Sequence, residues 1–194
     1  MLMINFAIST NRVDADGFLY FKDIRRVAAD GETSLLLQGN LAGLLGGFIF
    51  VVDDQIWNSY DRLRFDPEHI RFPSDTLIFS ALLLDDLANQ VAERPVILCA
   101  LTEMSSLRIE FVSSRTISIT GISAEGQVIY ASVVVPFDDL IRELVSASDD
   151  LLRIAEQNLT QDVPVTGDVS ALHQTNRAFL ENWRNSVERL RQFT

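Results

Sequence analysis

Residues 107–135 read LRIEFVSSRTISITGISAEGQVIYASVVV, and this stretch decides the fold. Apolar and polar side chains alternate within it, and the turn residues Glu125-Gly126 separate two of the alternating runs. Such alternation is typical of strands with one buried face, because successive side chains of a strand point to opposite sides. The stretch therefore predicts a three-stranded antiparallel meander.

The sequence that follows the meander predicts a long amphipathic helix. Pro136 ends the last strand and suits a first helical turn, and Asp138 and Asp139 favour the positive end of the helix dipole. Apolar residues then recur at helical spacing as far as Ala155, so we expect this helix to pack on a face of the sheet. A break with Pro164 follows the helix.

A second C-terminal helix is expected between Asp168, which can cap its first turn, and Leu190. Residues 1–161 carry all of the net charge of −11, whereas from residue 162 onward the acidic residues and the arginines are equal in number. We interpret residues 1–160 as a single α+β domain. Residues 161–194 are interpreted as a helical extension that packs on this domain or on a partner, and its helix could also form a homodimer.

The first hundred residues predict more strands and one short helix. Ile4, Phe6 and Ile8 alternate with small or polar residues, which indicates a half-buried strand. A short helix is expected over residues 85–93, and the apolar run at 77–83 is either a strand or the start of that helix. The predicted fold class is α+β: an antiparallel sheet with a short central helix and two C-terminal amphipathic helices packed on it.

Residues 33–52 form an uncharged stretch with the length of a membrane span. Gln38, Asn40 and the Gly46-Gly47 pair interrupt its apolar character, and both flanks are acidic, so no basic residue anchors either end. We interpret the stretch as two buried strands joined by a glycine turn, and we predict no membrane partner.

The composition excludes several classes of protein. With 47% hydrophobic residues and 12 Phe, the chain is too apolar to be disordered. One Cys cannot supply a disulfide framework, and a net charge of −11 argues against a nucleic-acid partner, because phosphate contacts need a basic face. The N-terminus lacks the pattern of a signal peptide, and together with the single Cys this predicts a cytoplasmic protein.

No motif predicts catalysis, a metal site or a cofactor. Cys99 lies in an apolar strand, where thiols are usually inert, and His69 and His173 have no partner at a characteristic spacing. The glycines before Phe48 are not followed by the Lys and Ser or Thr of a phosphate-binding loop. We predict no catalytic residue, no metal ligand and no cofactor, with a hydrolase that uses dispersed carboxylates as the less favoured alternative.

The segment DDQIWNSYD, residues 53–61, combines acidic and aromatic side chains. Aromatic anchors surrounded by charge are favoured at protein interfaces. We therefore predict a partner-binding surface, and the alternative is that the two aromatic residues only cover the edge of the sheet. The residues of the predicted surface are Asp53, Asp54, Trp57, Tyr60 and Asp61.

The pattern of residues 107–157 resembles small bacterial immunity proteins of polymorphic toxin systems, in particular the WapI-type group. It shares with them alternating strands, a glycine turn, and an apolar strand that runs through Pro136-Phe137 into an acidic amphipathic helix. The resemblance implies a non-enzymatic cytoplasmic protein that binds and inhibits a cognate toxin. Acidic charge suits a basic toxin, because complementary fields accelerate association. The other hypothesis is a structural subunit that dimerises through the helix between Asp168 and Leu190.

Overall fold

The computed structural model describes residues 2–13, 19–31, 41–57, 66, 70, 76–91, 96–102, 105–159 and 168–194. Within these residues the chain forms two antiparallel four-stranded sheets and four α-helices, which confirms the predicted α+β class. The elements are the strands β1 (Leu2–Val13), β2 (Leu19–Asp23), β3 (Gly46–Val52), β4 (Gln55–Ile56), β5 (Val96–Thr102), β6 (Ser105–Phe111), β7 (Thr116–Ser123) and β8 (Val128–Pro136), the helices α1 (Ile24–Ala29), α2 (Leu77–Gln90), α3 (Phe137–Leu159) and α4 (Asp168–Arg191), and a 3₁₀ turn at Leu41–Gly43.

The meander sheet has the strand order β5-β6-β7-β8, so the predicted three-stranded meander forms and gains β5 as a fourth strand. Ile109 of β6 pairs with Ile119 of β7, which pairs with Val133 of β8, as the alternation requires. The buried face of this sheet joins the same hydrophobic core as helices α2, α3 and α4.

The N-terminal sheet has the strand order β2-β1-β3-β4, and its central strand β1 differs from the prediction. We expected a half-buried strand, but residues 4–9 are all buried. Ile4 and Phe6 face the main core, while Ala7 on the opposite face packs in a second cluster with Phe21 and Ile70. Periodicity in one strand could not reveal that segments distant in sequence cover its second face.

The uncharged stretch at 33–52 contributes a strand to the N-terminal sheet. β3 is completely buried and pairs with β1 from Leu2 to Ile8. The 3₁₀ turn precedes it within the glycine-rich part, whereas the first predicted strand of the stretch lies outside the described residues. Within the described part of the chain, no helix has the length and apolar character needed to cross a membrane.

Helix α2 begins at the apolar run 77–83, so this run is the start of the short central helix. The helix ends at Gln90, three residues before the predicted end. Its buried leucines, which include Leu83 and Leu87, belong to the main core.

Helix α4 packs on the body of its own chain. Trp183 is 1% exposed, and its ring lies 5.6 Å from that of Phe6 and 5.7 Å from that of Phe48. The buried Asn176 accepts a hydrogen bond from the backbone N–H of Leu41 at 2.7 Å. The apolar stripe of this helix is therefore buried in the core of its own chain. A homodimer through α4 stays a prediction, and its interface would have to be formed by the polar face of the helix.

Asp23 caps helix α1 and gives the fold a titratable buried group. Its carboxylate accepts a hydrogen bond of 2.8 Å from the Arg25 N–H. Burial raises the pKa of Asp23 above the ordinary value of 3.8, and this effect exceeds the opposing effect of the Arg25 hydrogen bond. The folded protein thus binds a proton at pH values at which the unfolded chain does not, so this carboxyl makes folding more favourable as the pH falls toward 3.8.

This linkage predicts how an Asp23→Asn variant differs from the wild type. Asn keeps an oxygen that can accept the Arg25 hydrogen bond but does not titrate. The free energy of unfolding of the wild type minus that of the variant should increase as the pH falls from neutral through the folded pKa of Asp23. Urea denaturation of both proteins at a series of pH values measures this difference, and a difference that stays constant or shrinks would contradict the prediction.

Candidate functional site

The candidate site begins at the turn between β3 and β4. Val52 pairs with Gln55, so the hairpin is closed by the two residues Asp53 and Asp54. Both have positive φ, 48° and 63°, which is the geometry of a type I′ turn. A loop of only two residues can close this hairpin, because the backbone twist of a type I′ turn matches the twist of the two strands that it joins.

Both aspartates of this turn are exposed. The usual pair in a type I′ turn is Asn-Gly, because the left-handed conformation is costly for most residues. Asp is also common at the first of the two positions, so it is Asp54, in the place of the glycine, that is a poor choice for stability alone. The hairpin projects them together from the edge of the N-terminal sheet.

Trp57 follows directly and connects the two sheets. Its backbone N–H donates a hydrogen bond of 2.6 Å to the carbonyl oxygen of Phe50. Its half-buried ring stacks on Tyr130 of β8, with ring centroids 5.6 Å apart and planes at 26°. Tyr130 in turn lies over Gly121, which has no Cβ to meet the ring.

A cleft of about 380 Å³ lies between the acidic turn and β8. One wall comes from the β3–β4 hairpin and the other from the last strand of the meander sheet, so the cleft separates the edge strands of the two sheets. Its volume is at the lower end of the range of about 300–1,000 Å³ that is typical of ligand pockets. The residues that line it are Val52, Asp53, Gln55, Trp57, Tyr130, Ala131, Ser132 and Val133.

The structure brings together three of the five predicted surface residues. Asp53, Asp54 and Trp57 lie on one short hairpin, whereas Tyr60 and Asp61 lie outside the described residues. The alternative interpretation of Trp57 also receives support, because its ring packs against the main core as well as lining the cleft.

The residues that form the second wall of the cleft were not predicted from the sequence. Tyr130 and Ser132 belong to a strand whose alternation predicts only that it is part of the meander. A stacking partner distant in sequence leaves no local signal, because strand periodicity does not specify which loop reaches the strand.

The residues considered for catalysis do not form a reactive group in the described part of the chain. Cys99 is fully buried, and burial raises the pKa of its thiol far above the usual range, with a smaller contribution from the charge of Asp86. A thiol that does not ionise is a poor nucleophile. His69 and the side chain of His173 lie outside the described residues. Among the described side chains, no group of three His, Cys, Asp or Glu residues could hold a metal ion.

Comparison with known proteins gives no relative for this chain. No family model matches it, and no curated protein and no solved structure is significantly similar to it.

The geometry of the turn predicts a stabilising substitution. Asp54→Gly should raise the free energy of unfolding by about 0.5–1 kcal/mol, because glycine adopts positive φ without the steric cost of a Cβ. Ala124→Gly is a matched control in the exposed β7–β8 turn, where Ala124 has no positive φ, and it should lower stability slightly. Thermal unfolding of both variants checks this, and destabilisation by Asp54→Gly would contradict it.

Proposed function

We propose that this protein is a non-enzymatic binding module that inhibits one basic protein partner, in the manner of an immunity protein that blocks its cognate toxin. The observation that carries the proposal is the exposed Asp53-Asp54 turn beside a cleft walled by Trp57 and Tyr130. The proposal also agrees with the resemblance of residues 107–157 to WapI-type immunity proteins.

The charge of the molecule supports a basic partner. A chain with a net charge of −11 attracts a positively charged protein over a distance and accelerates its association. At contact, two carboxylates on a rigid hairpin can receive arginine or lysine side chains without the entropic cost of ordering a flexible loop. The half-buried ring of Trp57 offers apolar area of the kind that tends to dominate binding energy at interfaces, and the buried ring of Tyr130 supports it from beneath.

The backbone of the turn supports a functional role for its aspartates. Asp53 is a common first residue of a type I′ turn, but Asp54 stands where glycine would be more stable, and residues held in an unfavourable conformation are concentrated at functional sites. The presence of Asp54 at this position is explained if its carboxylate contributes to binding.

The test begins with identification of a partner and ends with a comparison of two acidic doublets. The purified protein is used as bait in bacterial lysate at low and at high salt, and the captured partner is then titrated quantitatively. The Asp53→Asn/Asp54→Asn variant keeps a turn-compatible side chain but loses both charges. We expect it to reduce the association rate by about tenfold and to weaken the dependence on salt.

The matched control removes the same charge elsewhere. Asp138→Asn/Asp139→Asn changes a doublet in the first turn of α3 that does not line the cleft, and should change the association rate by less than about twofold. Co-expression with the captured partner then shows whether the protein suppresses toxicity. An equal effect of the two doublets would show that only net charge matters. A homodimer in light scattering without any captured partner would favour the structural subunit instead.

A further inference from the structure

Among the residues that the structure describes, strand β8 forms an edge of the meander sheet, and its protection against pairing consists of Pro136 and of register shifts near Tyr130 rather than of charged side chains. In the part of the chain that the structure describes, β8 pairs with β7 on one side and with no strand on the other. Its nine residues, VIYASVVVP, include no charged side chain. Edge strands usually carry charged residues or are covered, because their free backbone groups can pair with another chain.

The hydrogen-bond pattern identifies the backbone groups that face the open side. Phe137 N–H donates to the carbonyl oxygen of Arg115 at 2.9 Å, which fixes the alternation along the β7–β8 pair. Val133 and Val135 therefore bond to β7, and the backbone groups of Val134 face outward. Pro136 occupies the next outward position, where its lack of an N–H removes no sheet hydrogen bond.

The same strand forms one wall of the cleft, and the acidic turn forms the other. Ala131 and Ser132 of β8 are exposed and line the cleft opposite Asp53 and Gln55. Val134 is 61% exposed next to them. A segment that paired with β8 would thus run past the Asp53-Asp54 turn.

We propose that the partner presents an extended basic segment, which adds as a fifth strand of the meander sheet on the side of β8 where the described residues place no strand. Its backbone pairs with Val134, its cationic side chains meet Asp53 and Asp54, and an apolar side chain enters the cleft against Trp57. This inference rests on the proposed function and specifies the chemistry and conformation of the partner at that site.

The charge decides between such a segment and a second copy of this chain. Two copies that paired along β8 would bring together molecules that each carry a net charge of −11. Like charges brought together at an interface oppose association, whereas a basic strand neutralises the turn.

Three synthetic peptides with the length of β8 test the inference on the unmodified protein. The first alternates Arg and Val, the second alternates Glu and Val, and the third is the Arg–Val peptide with N-methyl groups on alternate backbone amides. N-methylation removes the donors needed for strand pairing and keeps the side chains and the charge. Amide hydrogen exchange, followed by NMR, reports on Val134, and the inward-facing amide of Val133 is the internal control.

We expect the Arg–Val peptide to slow exchange at Val134 by about tenfold or more and to leave Val133 unchanged. The N-methylated and Glu–Val peptides should produce no such protection. If the N-methylated peptide binds as tightly as its parent and shifts only the signals of Asp53, Asp54 and Trp57, the acidic surface binds but strand pairing is refuted. If no peptide binds, the inference is refuted. The proposed function is then tested separately by the comparison of the Asp53/Asp54 and Asp138/Asp139 variants. Protection of Val134 that grows with protein concentration alone would assign the edge to a second copy.

Discussion

Replacing Trp183 with alanine is expected to lower the free energy of unfolding by about 3–5 kcal/mol. The side chain is 1% exposed, and its ring contacts the rings of Phe6, Phe48 and Phe179. Removal of the indole would leave a cavity where α4 meets the N-terminal sheet, and surrounding helices and strands fill such cavities only partially. Urea denaturation of the full chain measures the loss.

Trp183→Phe is the matched control for this prediction. The indole Nε1 is buried, and no described residue accepts a hydrogen bond from it, so phenylalanine removes this buried donor while keeping an aromatic ring. We expect its cost to be well below that of alanine. If alanine costs less than about 1 kcal/mol, the packing of α4 on the core contributes little to stability, and the interpretation of residues 161–194 as an extension for a partner gains weight.

Replacing Gly121 with alanine should destabilise the protein by about 1–3 kcal/mol and disturb the wall of the cleft. A Cβ at this position would stand 2.7 Å from Cδ2 and 3.1 Å from Cβ of Tyr130. The ring of Tyr130 cannot move away freely, because Trp57 stacks on it. We therefore expect the stack to open, which near-ultraviolet circular dichroism can follow alongside thermal unfolding.

A double-mutant cycle isolates this steric effect. With Tyr130 already replaced by alanine, Gly121→Ala should cost clearly less than it costs in the wild type, because the clashing ring is absent. Gly126→Ala provides a different comparison: that position has open space but a φ of 80°, so its cost comes from backbone strain and should not depend on Tyr130. Additive effects of Gly121→Ala and Tyr130→Ala would refute the clash.

The sequence predicts the parts of the fold whose pattern is local. Alternation in 107–135 gives the meander, and the helical stripe after Pro136 gives α3, because each element buries one face. The burial of β1 on both faces and the division into two sheets depend on contacts between distant segments. Nothing in the neighbourhood of Ile4 or Phe6 specifies those contacts.

The candidate site was likewise predictable only in the part that lies within one short segment of the sequence. Composition alone indicated Asp53, Asp54 and Trp57, because acids beside an aromatic residue are unusual in a core. The turn type was not predictable, since Asp-Asp is not a characteristic type I′ pair. The roles of Tyr130 and Gly121 depend on the packing of one sheet against a hairpin from the other, and a ring seated over a glycine leaves no periodic signal.

The hydrogen bond between Asn176 and Leu41 links the rotation of α4 about its axis to the position of the 3₁₀ turn. An all-apolar stripe could settle on the core in several neighbouring rotations of similar energy. A rotation that separated Asn176 from the Leu41 N–H would break this hydrogen bond inside the core, where an unpaired polar group is costly. The side-chain amide therefore favours one rotational position of the helix, in the way that a single buried asparagine specifies the register of a coiled coil.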